Sequence, residues 1–299
     1  MKIYVPLTPF QLLQSLAILE KEHEQEETIF VILRTCVSFY KELAKSGVLQ
    51  SNIKVLIFSE DNTSLSVTSR SNYPNILKFI NEIKKETGTK NHIITGSDDN
   101  FFVKILYREL GTELSLCEDG TGSFVPEILT LRKKVNLILD QYFFRAKIGS
   151  KGLSSSKAIK LYRVNDQAFS YRREQAKIVP IKEEFSRLCS RLSEELGLPS
   201  YSTIVMLPPW NMSEPNTLSF SSLEGIECLI KCHPRETDSG INNWKGLLDE
   251  RRINFHITDK YQLPMEVFIA RECVVKVVAL DTSTTMHTAK LFHKEFDNL

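Results

Sequence analysis

The sequence predicts an α/β protein of two Rossmann-like domains facing a central cleft. Short β-rich runs alternate with longer helical patterns, a signature of βαβ units and a parallel sheet. The alternation stops in a basic, turn-rich stretch and begins again after it, and 299 residues give room for two ordinary domains. The expected boundaries are 1–160 for the first domain, 161–200 for a crossing segment and 201–299 for the second domain.

In the first half, KIYVPL, TIFVIL, IKVLIF, HIITG and ELSLC read as strands. Between them PFQLLQSLAILEKE, SFYKELAKSG, YPNILKFINEIKKE and NFFVKILYREL carry apolar residues three and four apart, as amphipathic helices do. The first helix has a well-specified start: Thr8 can cap it, Pro9 suits its first turn and Gln11 completes a capping box. Capping accounts for TPFQ. A strand-to-helix turn at the carboxyl end of a parallel sheet is also where ligands bind, which makes Thr8 and Gln11 acceptor-side candidates. SDDN, Ser97 to Asn100, reads as another helix cap.

From about Leu131 to Arg187 the chain turns basic, with LRKK, FFRAKIGSKGLSSSKAIKLYR and SYRREQAK. This is either a solvated basic face or a patch for an anionic lipid or glycan. After the helix EEFSRLCSRLSEELGLP, the runs STIVMLPPW, ECLIKCHP, NFHIT and ECVVKVVALD begin a second series, ending in a helix from about Thr285 onward.

Composition narrows the function. With 42% hydrophobic and 25% charged residues the chain reads as globular, and 38 Lys and Arg against 37 Asp and Glu give a net charge of +1. No global charge draws it to nucleic acid, so any anion binding is local. The six cysteines are scattered. Cys228, Cys232 and His233 form the one metal-like cluster, and it lacks a second ligand pair, so no metal site is expected. The N-terminus shows neither a long apolar region nor a small-residue cleavage site, and no window reaches a membrane span of about 20 apolar residues. A cytoplasmic protein with reduced thiols is the expectation.

Three features carry chemistry. In LCEDGTGSF, Glu118 and Asp119 end a strand where Gly120 and Gly122 allow a tight turn. Two neighbouring carboxylates tend to raise one pKa, which suits a general base, although acidic-glycine turns are common. In IKCHPRE, Pro234 holds His233, and Lys231 and Arg235 make the neighbourhood cationic; such a histidine donates to a phosphate, or only caps and packs. In ALDTSTTMHTAK, a run of hydroxyls precedes a helix and suits an anion, while capping by Thr282 or Ser283 needs one hydroxyl alone. Neither a Walker P-loop, nor G-x-G-x-x-G, nor a D-x-D cluster is present.

The ordered set EDGTGS, KCHP, LPMEVF and STT resembles the bacterial sialyltransferases of the GT-B fold. With TPFQLL and the chain length, it looks most like glycosyltransferase family 52, which contains lipooligosaccharide and capsular sialyltransferases. The motifs are short, and their order carries the likeness. It implies an inverting, metal-independent transfer from CMP-sialic acid to a terminal galactose or similar sugar. Asp119 would be the base, with Glu118 its neighbour or substitute and Gly120 beside it, and Glu214 stands in reserve. His233, flanked by Lys231 and Pro234, would meet the departing phosphate. Glu266 would hold the cytidine ribose, and Ser283, Thr284 and Thr285 the phosphate. TSTT has threonines where relatives often have serines, which leaves another nucleotide sugar open as donor. The expected partners are a nucleotide-sugar donor, a glycan acceptor and, through the basic segment, an anionic inner membrane; a homodimer is left open.

Overall fold

The computed structural model describes residues 1–23, 27–49, 53–58, 72–119, 123, 131, 135, 138, 142, 158–170, 176–234, 236–260, 262–280 and 285–299. The chain forms two compact units, Met1–Phe185 and Ser186–Leu299.

The first unit holds a seven-stranded sheet of β1 (Lys2–Val5), β2 (Thr28–Leu33), β3 (Ile53–Phe58), β4 (Asn91–Thr95), β5 (Gly111–Cys117), β6 (Ala158–Arg163) and β7 (Lys177–Pro180). Its order is β3-β2-β1-β4-β5-β6-β7, with every pairing parallel. Its described helices are α1 (Pro9–Glu22), α2 (Val37–Ser46), α3 (Tyr73–Thr87) and α4 (Phe101–Leu110). All six residues of β2 are buried, as covering both faces of a parallel sheet requires. Residues Gln11 to Leu19 of α1 are likewise buried in an unbroken run. Polar side chains in such a helix need partners inside the protein, and this requirement shapes the site below.

Strands β6 and β7 lie within and just before the stretch expected to cross between domains, and both belong to the first sheet. The run AIKLYR makes a strand in which the charge of Lys160 is met from α1. Glu22 Oε1 accepts from Lys160 Nζ and from Tyr162 Oη, both at 2.5 Å, and Glu22 Oε2 accepts from Lys2 Nζ at 2.5 Å. Burial pushes the Glu22 pKa upward, but the bonds from Lys160, Lys2 and Tyr162 outweigh it and bring it down to about 2. Across β4 and β5, His92 Nε2 stands 2.7 Å from Ser115 Oγ, and Nδ1 stands 3.8 Å from Glu113 Oε2. Ser115 has no exposed surface, so this Ser–His–Glu row is a contact within the sheet and not a nucleophile.

The boundary between units falls inside α5 (Lys182–Glu195). The second unit contains β8 (Thr203–Met206), β9 (Glu227–Lys231), α6 (Asp238–Glu250), β10 (Asn254–Ile257), α7 (Met265–Ile269), β11 (Lys276–Ala279), α8 (Thr285–Leu291) and β12 (Glu295–Asn298). Its sheet is parallel throughout, in the order β10-β9-β8-β11-β12. The helix expected to run from Thr285 to the end stops at Leu291. His293 turns the chain with a left-handed φ of 56°, and the polar EFDN then pairs with β11. Lys276 Nζ meets Asp297 Oδ2 at 2.5 Å across that pairing, so charge supplies what an apolar pattern did not.

Numbered from its own first strand, each sheet begins in the order 3-2-1-4-5. The order reverses between β1 and β4 in one unit and between β8 and β11 in the other. In open α/β sheets, ligands bind outside the carboxyl ends of strands at such reversals.

Candidate functional site

At the reversal of the first sheet, β1 leads through Leu7 and Thr8 into α1. Exposed Thr8 caps the helix, its Oγ1 accepting from Gln11 N at 3.3 Å. The expected capping box is only half formed. Gln11 Oε1 accepts from Leu7 N at 2.8 Å instead of from the Thr8 amide, and Nε2 donates to Asp119 Oδ1 at 2.6 Å. Gln11 has no exposed surface, so it has none to offer an acceptor. One turn later, buried Gln14 closes a two-bond pair with the peptide of Glu118. Its Nε2 donates to the Glu118 carbonyl at 3.0 Å, and its Oε1 accepts from the Glu118 amide at 2.9 Å. The end of β5 is thereby tied to α1 at two successive residues.

Glu118 and Asp119 do different work. Glu118 is 3% exposed, and its Oε1 accepts from Val164 N and Asn165 N, both at 2.6 Å. It fastens the turn after β6, so its place as the neighbour of Asp119 comes with partners of its own. Asp119 is half-buried, and its amide donates to Ser123 Oγ at 2.6 Å. Of the two carboxylates, Asp119 is the one placed at the carboxyl edge with surface to present. Gly120 lies outside the described residues.

In the second unit, half-buried His233 follows β9 in a loop held by Glu236. Glu236 Oε2 accepts from Trp210 N at 2.6 Å and Trp244 Nε1 at 3.2 Å, and Oε1 accepts from Thr237 N at 2.9 Å. The Glu236 amide donates to the His233 carbonyl at 2.9 Å, and Gln262 Nε2 donates to the Pro234 carbonyl at 3.1 Å. A Cβ on Gly240 would stand 2.0 Å from Glu236 Oε1, so the glycine makes room for this clamp.

Beneath the loop lies a buried polar cluster. Lys231 and Glu266 are 1% and 6% exposed, and Glu266 Oε1 accepts from Thr288 Oγ1 at 3.2 Å. Burial pulls the Lys231 pKa down to about 8, against the charge of Glu266. Burial likewise pushes Glu266 up, against a backbone donor, Thr288 and Lys231. The charge of each group opposes the effect of burial on the other. Thr285 Oγ1 donates to Met206 Sδ at 2.9 Å, which places it beside the end of β8. Ser283, Thr284 and the expected capping residues Thr282 and Ser283 lie outside the described residues, as does Arg235. Glu214 is exposed, in the connection after β8.

Among the described residues, no group of three or more His, Cys, Asp or Glu side chains is arranged to hold a metal ion. Cys228 and Cys232 are buried, and burial raises both thiols to about 11. Sequence reasoning missed Gly96, Gln14, Ser123 and Glu236. Gly96 directly after an apolar strand, and two glutamines three apart in the mostly apolar first part of a helix, were the available signals.

These two parallel α/β units have the GT-B fold. No protein-family model and no curated protein matches the sequence. Among solved structures, the chain is similar to the α/β-galactoside α-2,3-sialyltransferase of the luminous marine bacterium Photobacterium phosphoreum. The TM-score is 0.54 at 11% identity, over 99% of this chain and 90% of that one. It also matches a putative UDP-N-acetylglucosamine 2-epimerase from Listeria monocytogenes, at TM-score 0.48 and 14% identity over 93% of this chain and 73% of that one. Arabidopsis thaliana UGT89C1, complexed with UDP-L-rhamnose, follows at 0.43 and 10%, over 99% and 85%. At these identities the likeness is one of fold, and the resemblance to glycosyltransferase family 52 rests on the short motifs.

Proposed function

We propose that the chain is an inverting sialyltransferase that moves sialic acid from CMP-sialic acid to a terminal galactose or similar sugar of a bacterial surface glycan. The observation that carries the reading is Asp119: a half-buried carboxylate at the carboxyl edge of a parallel sheet, oriented by an uncharged amide. In the proposed step the acceptor hydroxyl attacks the anomeric carbon and gives its proton to Asp119. The bond to phosphate breaks, and its electron pair leaves with CMP. His233, in the loop held by Glu236, would stabilise the charge growing on that phosphate, and Glu266 would face the ribose. The bond is already activated in the donor, so positioning, proton removal and charge stabilisation suffice without a metal. The choice of donor rests on the short motifs, and the sialyltransferase of similar fold supports the fold alone.

Thermal shift with CMP, UDP and GDP tests the donor, because a ligand of the native state stabilises it by about 2.7 kcal/mol at 100 times its Kd. CMP alone should raise Tm, and His233→Ala should reduce the rise. A rise with UDP and none with CMP would instead favour a transferase using a UDP-sugar.

The proposal includes contact with an anionic lipid surface on the cytoplasmic side of an inner membrane. Leu131, Val135, Ile138 and Tyr142 are helical and exposed, at 79%, 46%, 64% and 78%. Their spacing of four, three and four residues is the period of one helix face, within a basic stretch of sequence. Among the described residues no helix is long and apolar enough to cross a membrane.

A further inference from the structure

We infer that Gln11, seated in the space Gly96 leaves by having no side chain, is a positioning residue that sets the orientation and proton affinity of Asp119. The inference rests on the reading of Asp119 as the base.

The geometry leaves the Gln11 amide one useful orientation. Leu7 N is a donor 2.8 Å from one end of it, so that end must be the oxygen. The opposite end is then the NH2 group, 2.6 Å from Asp119 Oδ1. A flipped amide would face donor to donor at Leu7 and oxygen to carboxylate at Asp119. The backbone between β1 and α1 thereby dictates that a neutral donor meets Asp119. Neutrality matters, because a cation at this distance lowers a carboxyl pKa by about 1–3 units and would weaken a base. An amide orients the carboxylate with less of that effect.

Gly96, just past β4, gives the Gln11 side chain its path. A Cβ there would stand 2.1 Å from both Cδ and Nε2 of Gln11 and 2.6 Å from Oε1, and these are the three nearest atoms it would meet. No real Cβ contact is that short, so Gly96→Ala must displace the amide. Gln11 and Gly96 therefore form one device, and their substitutions should not add. Three other carboxylates belong to these strand ends. Glu118 is bound by the amides of Val164 and Asn165, Asp98 lies fully buried two residues after Gly96, and Asp99 Oδ1 stands 3.6 Å from Lys104 Nζ. All three, and Lys104, are retained in every variant below.

The test follows the Asp119 carboxyl carbon by NMR during a pH titration of the full chain, with the signal assigned by Asp119→Asn. Gln11→Glu keeps the shape and the acceptor for Leu7 N, but sets a second carboxylate against Asp119. The pair should titrate with its upper midpoint raised by about one unit or more. Gln11→Ala and Gly96→Ala should each change the Asp119 signal, and Gly96→Ala should add nothing in the Gln11→Ala background. In transfer from CMP-sialic acid to a lactoside, Gln11→Ala should lower kcat about tenfold or more with the KM for donor and the CMP-induced Tm shift unchanged. The acid limb of the rate profile should move upward in Gln11→Glu. An unmoved Asp119 midpoint in Gln11→Glu, or additive losses for Gly96→Ala and Gln11→Ala, overturns the inference without reference to any donor. Full transfer by Asp119→Asn overturns the proposed base and leaves the NMR result standing as a statement about the carboxylate alone.

Discussion

Replacing Gln14 with leucine sets two effects of opposite sign against each other. Leucine is close in size, and burying it in place of an amide gains about 1–2 kcal/mol of transfer free energy. Against this, Gln14 is fully buried and satisfies both the amide and the carbonyl of Glu118, at 2.9 and 3.0 Å. A buried backbone group left without its partner costs about 1–3 kcal/mol, so two cost roughly 2–6. At midrange the loss wins, and Gln14→Leu should destabilise the first unit by about 2–3 kcal/mol. Urea unfolding followed by circular dichroism measures this as a lowered midpoint at unchanged slope. The end of β5 also loses one of its ties to α1, so kcat should fall with it. A midpoint at or above wild type would refute the reasoning, because apolar burial would then outweigh the polar pair.

Further outcomes follow from the same contacts. Glu236→Ala strips an acceptor from the amides of Trp210 and Thr237 and from the indole of Trp244, which is fully buried. It should cost the second unit about 2–4 kcal/mol by urea unfolding and shrink the CMP-induced Tm shift; wild-type values for both would remove Glu236 as the clamp of the His233 loop. Glu22 has a folded pKa of about 2 against an ordinary 4.5, so between these values the unfolded chain binds the extra proton. Its contribution is present above pH 4.5 and is lost as pH falls toward 2. Glu22→Gln should flatten stability over that window, and an unchanged acid profile would contradict the role of the Lys2–Glu22–Lys160 contacts. For membrane contact, Leu131→Asp with Ile138→Asp should weaken cosedimentation with phosphatidylserine vesicles, and salt should weaken it further.

The fold was legible where apolar residues run together. The runs TIFVIL and IKVLIF became β2 and β3 over the residues that pattern marked, β2 wholly buried and β3 only in part. It was illegible where charge replaced apolar pairing, in β6 against Glu22 and in β12 against Lys276, since periodicity registers hydrophobicity and not a distant countercharge. EDG marked a turn at the end of β5, but not the different contacts of its two carboxylates. Both follow the last residue of β5, where the chain leaves the sheet, and strand alternation no longer assigns them a side. That Glu118 meets the amides of Val164 and Asn165 is a contact 46 and 47 residues away in sequence, and no local pattern encodes it. TPFQ was sufficiently explained by capping, and the second half of that explanation proved to be a bond to Asp119.

The most direct test of the central claim is transfer from CMP-sialic acid to a panel of labelled galactosides by the wild-type chain and by Asp119→Asn. The account predicts a sialylated product of inverted anomeric configuration from the wild type and loss of product in Asp119→Asn, with the CMP-induced Tm shift retained. Equal product from both proteins, or none from wild type with CMP-sialic acid while a UDP-sugar is transferred, would contradict it.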